Sequence, residues 1–328
     1  SATVGFNNLL GLTATYTIDI LNALTGVLVD TTTISNPGAT PSHVFTGLTP
    51  NTTYNIRITV VMNGATKICP NQTTFATTTA AAACNSGLDV VFLLDYTFSM
   101  GTVVNGVKTG ISDIIAEIIT QSGTNDYRLG LALADESSSS TPTYVTSTDY
   151  LALPSAQRII NTGSSDYQFI TAVEMFQTNN QTSFETQLAK LNTGSPTAGW
   201  PLGAGSGFPE PTDMALGLIV ESNQLLGAFR TGVAKYVLIY TDDLPSGDDD
   251  AFTATDVTRL NSLAITCASN GIKVFILGQG VDKPYTPSGG TTTYPWRTLA
   301  TATGGTYTVN YDTTSVISQI TNACGPTP

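Results

Sequence analysis

The chain has 328 residues, of which 12 are Lys or Arg and 24 are Asp or Glu, giving a formal net charge of −12. This balance excludes nucleic-acid binding through a basic patch, because too few cations are available to neutralise phosphates. No apolar run reaches the roughly 18 residues that a membrane-spanning helix needs. The length predicts two domains, each large enough for its own core.

Residues 1–79 predict a small all-β sandwich domain. Period-2 alternation of apolar and polar residues, typical of half-buried strands, occurs over 14–21 and 54–60. The phrase Gly47-Leu-Thr-Pro-Asn-Thr-Thr-Tyr54 places a Pro/Asn turn just before a strand. It resembles the fibronectin type III domain, and this resemblance implies that Leu48 and Tyr54 pack inward.

The first strand of such a sandwich is not evident, because residues 1–6 correspond to its second strand. One interpretation is a small or divergent sandwich. The other is that a neighbouring chain or an upstream domain supplies the strand by addition to an open sheet edge. The second interpretation predicts a filament or a tandem array, since each unit would then complete the next.

An α/β domain is predicted over residues 87–324, after a linker of small residues at 80–86 and before a tail at 325–328. One strand is predicted to end at 95, and further strands are predicted at 127–135, 236–241 and 273–278. Helices are predicted at 107–119, 151–161, 184–191, 215–229, 255–270, 296–303 and 314–323. This alternation predicts a mostly parallel, doubly wound sheet with helices on both faces.

The most informative stretch is 91–101, where a buried-type strand ends at Asp95 and oxygen-bearing side chains follow at Thr97 and Ser99. Alternate residues of extended backbone point the same way, so a carboxylate and two hydroxyls converge at the carboxyl end of a strand. Open α/β sheets bind ligands at that edge. Oxygen donors of this kind suit Mg²⁺, Mn²⁺ or Ca²⁺; the alternative is a turn that caps the next helix.

Two further segments favour the cation site. A second buried-type strand, 236–243, ends in the two carboxylates Asp242 and Asp243, and a Gly/Pro loop at 207–212 runs into an apolar helix. With these three loops, residues 84–324 resemble a von Willebrand factor type A domain with a metal-ion-dependent adhesion site. Asp95-x-Thr97-x-Ser99 is similar to that family's Asp-x-Ser-x-Ser loop, with a Thr that keeps the hydroxyl.

The middle loop is compatible with two ligand sets. Thr212 is similar to the Thr loop of integrin α-type domains, whereas Pro209-Glu210 is similar to the Pro-Glu loop of integrin β-type domains. The resemblance therefore implies either Thr212 or Glu210 as a direct ligand. Asp135-Glu136 ends another strand at the same edge and is expected to support the site or to cap a loop. Residues 248–250 form an acidic loop, expected to be solvated or to bind a second cation.

The four cysteines, Cys69, Cys84, Cys267 and Cys324, allow three pairings. Secreted members of the family often carry a bridge between the two ends of the domain, and Cys84 and Cys324 flank the predicted domain. A Cys84–Cys324 bridge is therefore expected, while Cys69 and Cys267 either pair between domains or remain thiols.

The function implied by the resemblance is metal-dependent adhesion at a cell, extracellular or virion surface. In this reading a partner protein contributes an Asp or Glu carboxylate to a bound Mg²⁺, Mn²⁺ or Ca²⁺. The alternative is a structural subunit of a surface filament or virion appendage, which self-associates. An enzyme is not expected, since the single histidine lies at position 43, in the other domain.

Overall fold

The computed structural model describes residues 2–5, 14–35, 42–45, 48, 53–62, 65–68, 73–76, 84–123, 125–162, 166–193, 199–203, 210–221, 225–245, 251–278, 282–287 and 292–324. The chain divides into two units, Ser1–Ala80 and Ala81–Pro328. Cys69, the acidic loop at 248–250 and the tail at 325–328 lie outside the described residues.

The N-terminal unit is built from antiparallel strands. Its strands are β1 (Ala2–Gly5), β2 (Thr15–Asn22), β3 (Leu28–Ser35), β4 (Ser42–Phe45), β5 (Thr53–Met62), β6 (Ala65–Ile68) and β7 (Thr73–Ala76). Strands β1 and β4 form one sheet, while the other has the order β3-β2-β5-β6, with β7 also paired to β5. The period-2 segments of the sequence thus become the central strands β2 and β5.

A small apolar core forms in this unit because alternate residues of β2 point to one face. Tyr16, Ile18 and Ile20 are all buried there. Leu48 and Tyr54 are buried as well, with exposed fractions of 8% and 1%. Leu48, before β5, and Tyr54, within it, are therefore both directed inward, as expected from the sequence.

The second unit alternates strands and helices. Its strands are β8 (Leu88–Asp95), β9 (Tyr127–Ser137), β10 (Arg158–Thr162), β11 (Tyr167–Thr178), β12 (Ala234–Thr241), β13 (Ile272–Gly278) and β14 (Tyr307–Thr308). Its helices are α1 (Gly101–Ser122), α2 (Thr148–Ala152), α3 (Gln181–Ala189), α4 (Thr212–Val220), α5 (Ala254–Ser269), α6 (Pro295–Ala302) and α7 (Thr313–Cys324). The seven strands form one sheet in the order β10-β11-β9-β8-β12-β13-β14.

Strand β8 lies at the centre of this sheet, parallel to β9 and β12, and all eight of its residues are buried. Its side chains alternate between two cores. Val90, Phe92 and Leu94 pack on the face covered by α1, α3 and α7, and Val91 and Leu93 pack on the face covered by α4, α5 and α6. The continuous apolar run of β8 therefore follows from burial on both faces.

Three expectations about elements were wrong. Residues 151–161 do not form one helix: α2 ends at Ala152, and β10 occupies Arg158–Thr162. The β-branched pair Ile159-Ile160 joins an antiparallel hairpin with β11, a strand that the sequence patterns did not predict. The helix predicted over 215–229 is α4, which begins earlier and ends at Val220; the described residues 225–230 are not helical.

Cys84 and Cys324 form a disulfide that joins the residues before β8 to the end of α7, with their Cα atoms 5.4 Å apart. Cys267 is a free, buried thiol on α5. Among the described residues, no helix combines the length and apolar composition that crossing a membrane would require.

Candidate metal centre

The first loop of the site follows β8 directly. Asp95 is fully buried at the strand's end, and the backbone N–H and the hydroxyl of Thr97 donate to its Oδ1 at 3.1 and 2.8 Å. The Oγ1 of Thr97 and the Oγ of Ser99 are 3.1 Å apart. Thr97 is buried and Ser99 is exposed. The three side chains therefore converge at one edge of the sheet, as alternation predicts.

The second loop comes from β12, the strand adjacent to β8. The hydroxyl of Thr241 donates to Asp95 Oδ2 at 3.1 Å, and Asp242 follows in a half-buried position. Because β8 and β12 run parallel in register, their carboxyl ends meet. Two carboxylates from sequence positions 147 residues apart are thereby brought to the same edge.

The middle loop places both candidate ligands in the interior. Glu210 is 1% exposed, and its backbone N–H donates to the carbonyl of Leu244 at 2.8 Å, which ties this loop to the loop after β12. Thr212 is 0% exposed, and it begins α4. The chain between them is tight, since the N–H of Thr212 donates to the carbonyl of Glu210 at 2.9 Å.

Carboxylate oxygens of Asp95, Glu210 and Asp242 all lie within 4.8 Å of one another. Among the described residues, none donates to Glu210 Oε2, Thr212 Oγ1 or Asp242 Oδ1, although all three atoms are buried. Buried polar atoms are nearly always satisfied, and hard oxygen donors arranged in this way fit a divalent cation. The residues present therefore fit the metal that the sequence motif implies.

Electrostatics at this edge also favour an added positive charge. Burial, and then the negative charge of Asp242, raises the pKa of Asp95 to about 7. Burial raises the pKa of Glu210 to about 11, with further contributions from Asp95, Glu136, Asp135 and Asp242. Clustered carboxylates resist ionisation, and a cation among them reverses that preference.

Asp135 extends the cluster from the end of β9. It is fully buried, and its Oδ2 accepts a hydrogen bond from the hydroxyl of Tyr144 at 2.8 Å. Its pKa is raised well above the usual value by burial, and the charges of Asp95 and Glu136 act in the same direction. Gly203 packs against this carboxylate so closely that a Cβ there would lie 2.0 Å from Asp135 Oδ1. Residue 203 was not singled out from the sequence, because no local pattern marks it.

No protein family model and no curated protein matches this sequence. Among solved structures, the chain is similar to the pilus adhesin SpaC from Lactobacillus rhamnosus GG, at 11% identity and a TM-score of 0.41 over 84% of this chain and 32% of that one. It is similar to proximal thread matrix protein 1 from the mussel byssus, at 12% identity and a TM-score of 0.40 over 72% and 46% of the two chains. A third is the manganese-loaded TRAP protein of Plasmodium vivax, at 13% identity and a TM-score of 0.37 over 74% of each chain.

The chain thus spans about a third of the length of SpaC, 32% by coverage.

Proposed function

We propose that the second unit is a von Willebrand factor type A domain that binds a divalent cation, Mg²⁺ with Mn²⁺ or Ca²⁺ as substitutes, and through it an acidic group of a partner protein. The observation that carries this proposal is the convergence of the Asp95, Glu210 and Asp242 carboxylates, whose oxygens lie within 4.8 Å of one another. The Asp95-x-Thr97-x-Ser99 motif and the order of the three loops along the chain agree with such a site.

The proposed ligands are Asp95, Thr97, Ser99 and Asp242, with Glu210 as the direct ligand of the middle loop. Glu210 is proposed as the direct ligand because its carboxylate oxygen lies within 4.8 Å of those of Asp95 and Asp242, and carboxylates are charged oxygen ligands for Mg²⁺ and Ca²⁺. The buried hydroxyl of Thr212, to which no described residue donates, stays close by at the start of α4. It is available to a metal-bound water or as an alternative ligand.

A bound Mg²⁺ would supply a positive charge and water ligands that exchange for an outside carboxylate. The protein's own residues prepare this exchange. The hydroxyl of Thr97 and that of Thr241 hold the two oxygens of Asp95 in fixed positions. Ser99 is exposed beside them and leaves the site open toward solvent. This arrangement suits binding at a surface. The proposed role is binding and not catalysis, because the chain's single histidine lies in the other unit.

The proposed location is extracellular or on a cell or virion surface. The Cys84–Cys324 disulfide supports it, because disulfides persist in oxidising compartments. The scarcity of charged residues, 11% of the chain, agrees with such a surface.

Calorimetric titration of Mg²⁺, Mn²⁺ and Ca²⁺ into EDTA-treated protein tests the proposal. Saturable binding is expected in the unaltered protein and is expected to disappear in Asp95→Ala and Asp242→Ala. Asp113→Ala is the matched control, because Asp113 is exposed on α1, and its binding isotherm should match the unaltered one. Absence of binding to all three cations in the folded, unaltered protein would overturn the proposal.

A structural role in a filament is the second candidate. Among the described residues, β1 pairs with β4 alone, and the inward-facing Ile56 and Ile58 of β5 are only half-buried. An additional strand paired to the outer edge of β1 would cover such a face. Native mass measurement and electron microscopy test this role: ordered assemblies formed without metal would favour it, and a monodisperse monomer would contradict it.

A further inference from the structure

A small cleft opens beside the carboxylate cluster, between the loop after β12 and the start of α6. Its volume is ≈ 10 Å³, and it is lined by Asp242, Asp243, Lys283, Trp296 and Tyr307 among others. This cleft therefore connects a proposed metal ligand, Asp242, to a segment that the metal-binding motif does not include.

Lys283 stands at this cleft in a fixed position. Its ammonium group lies 2.5 Å from Oδ2 of Asp243, which is 8% exposed, while the lysine side chain itself is 43% exposed. Asp243 is held in turn: the backbone N–H of Leu244 donates to its Oδ1, and the indole N–H of Trp296 donates to its carbonyl at 2.7 Å. The acid is thus held in the interior, and the lysine side chain paired with it is partly exposed to solvent.

Arg297, in the first turn of α6, forms a similar pair of an exposed cation with a largely buried acid. It pairs with Asp282, whose side chain is 10% exposed, while the arginine is 57% exposed. Its guanidinium lies over the rings of Tyr294 and Tyr307, 5.0 and 5.8 Å from their centroids. Because Tyr307 also lines the cleft, Arg297 borders the same surface as Lys283.

These two cations differ from the others in the unit. In the ion pairs of the described residues, every other cationic side chain is at most 37% exposed. Lys283 and Arg297 are thus the most exposed of the ion-paired cations among the described residues, in a chain with twice as many acids as bases. A rim of exposed cations beside a site that holds a divalent cation is complementary to a ligand with more than one negative group.

The geometry points to a bidentate acidic partner: one carboxylate completes the metal site, and a second is held by Lys283 and Arg297. This inference rests on the proposed function, since the first carboxylate needs the cation. The partner is thus an acidic peptide segment with two neighbouring carboxylates, and the rim residues determine its specificity without binding the metal.

The test uses the Mn²⁺-loaded 328-residue chain and two peptides, N-acetyl-Gly-Asp-Gly-Asp-Gly-amide and its Asn analogue at the second Asp. Water-proton relaxation measures Mn²⁺ binding, and calorimetry measures each peptide. We expect the two-carboxylate peptide to bind about fivefold more tightly, a preference that salt weakens. Lys283→Gln with Arg297→Gln should abolish the preference, and Lys283→Arg should retain most of it. Arg259→Gln, which removes a cation from the exposed pair with Glu221, is the matched control.

The outcomes separate the two proposals. Normal Mn²⁺ binding with equal affinity for both peptides would overturn the rim inference and leave the metal site standing. A preference that survives in the double variant would overturn it too. Failure of the unaltered protein to bind Mn²⁺ would overturn both. If the double variant does not fold, the single variants and the salt dependence in the unaltered protein decide, since a preference independent of salt contradicts a charged rim.

Discussion

Strand β8 has a buried aspartate near each end, and the charged neighbours of these two aspartates have opposite signs. Asp89, at the start, is 0% exposed and receives Arg128 and Arg230, whose Nε atoms donate to its Oδ1 at 3.0 and 2.8 Å. Asp95, at the end, is equally buried, but its charged neighbours are Asp242 and Glu210. None of the ion pairs of the described residues involves these three acids. Buried charge is costly unless it is paired, so one end carries its own cations, and the other is where we propose that a cation from solution binds.

The largest effect on stability should come from removing one of the two arginines that pair with Asp89. Arg230→Met removes half of the pairing of Asp89 and leaves a buried carboxylate under-compensated. We expect the free energy of unfolding to fall by about 3 kcal/mol in urea denaturation. Arg259→Met, which breaks an exposed pair with Glu221, should cost less than about 1 kcal/mol. Similar losses in both variants would mean that the burial of Asp89 has no energetic consequence.

The opposite end should respond to added cation. A ligand that binds only the native state at one hundred times its dissociation constant raises the free energy of unfolding by about 2.7 kcal/mol. We therefore expect Mg²⁺ to raise the melting temperature of EDTA-treated protein, and Asp95→Asn to abolish that rise. In EDTA alone, Asp95→Asn should be at least as stable as the unaltered protein, because it removes a charge from the cluster. A destabilised variant in EDTA would contradict the electrostatic explanation.

Stability of the metal-free protein should also depend on pH. The folded-state pKa of Asp95 is raised from 3.8 to about 7 and that of Glu210 from 4.5 to about 11, so the folded state holds protons that the unfolded state releases. Stability is therefore highest at low pH within this window and falls as pH rises from 5 to 7, by about 1.4 kcal/mol per pH unit for each proton retained. Denaturant titrations in EDTA measure the slope, and Asp95→Asn should reduce it. A flat profile would argue against protonated carboxylates in the apoprotein.

The smallest effect should come from changing the hydroxyl side chain of the first loop. Thr97→Ser keeps the oxygen that donates to Asp95, so cation affinity should change less than about threefold, whereas Thr97→Val should lower it by at least about tenfold. Calorimetry with Mn²⁺ compares the three proteins. Equal affinities for the serine and valine variants would show that this hydroxyl does not ligate.

The sequence predicts those parts of the site that depend on short-range pattern. Asp95, Thr97 and Ser99 are found because alternation along one strand sets their direction, and Asp242 because it ends the next buried run. The choice between Glu210 and Thr212 is not local, since Glu210 is positioned by a backbone hydrogen bond to Leu244. No local pattern marks Lys283, which follows β13, or Arg297, which lies on α6, so their place beside the cleft emerges only from the tertiary structure.

The elements of the fold also divide into those that short-range sequence patterns predict and those that depend on tertiary contacts. The central strands and the long helices follow from apolar runs and helical spacing. The edge hairpin of β10 and β11 was missed because its inward face is partly polar. Glu174 of β11 is buried, and it accepts hydrogen bonds from Asn180 and Ser183. A buried acid satisfied by neighbours gives no apolar signal, so such a strand emerges only from the tertiary structure.

The Cys84–Cys324 disulfide has a mechanical consequence. The two cysteines are 240 positions apart in sequence, with Cα atoms 5.4 Å apart. A fully extended segment of that length would span roughly 800 Å. A pulling force applied to the chain before Cys84 and after Cys324 passes through the sulfur–sulfur bond instead of the sheet. The domain that holds the proposed ligand site is thereby a link of fixed length, and tension along the chain does not unravel it.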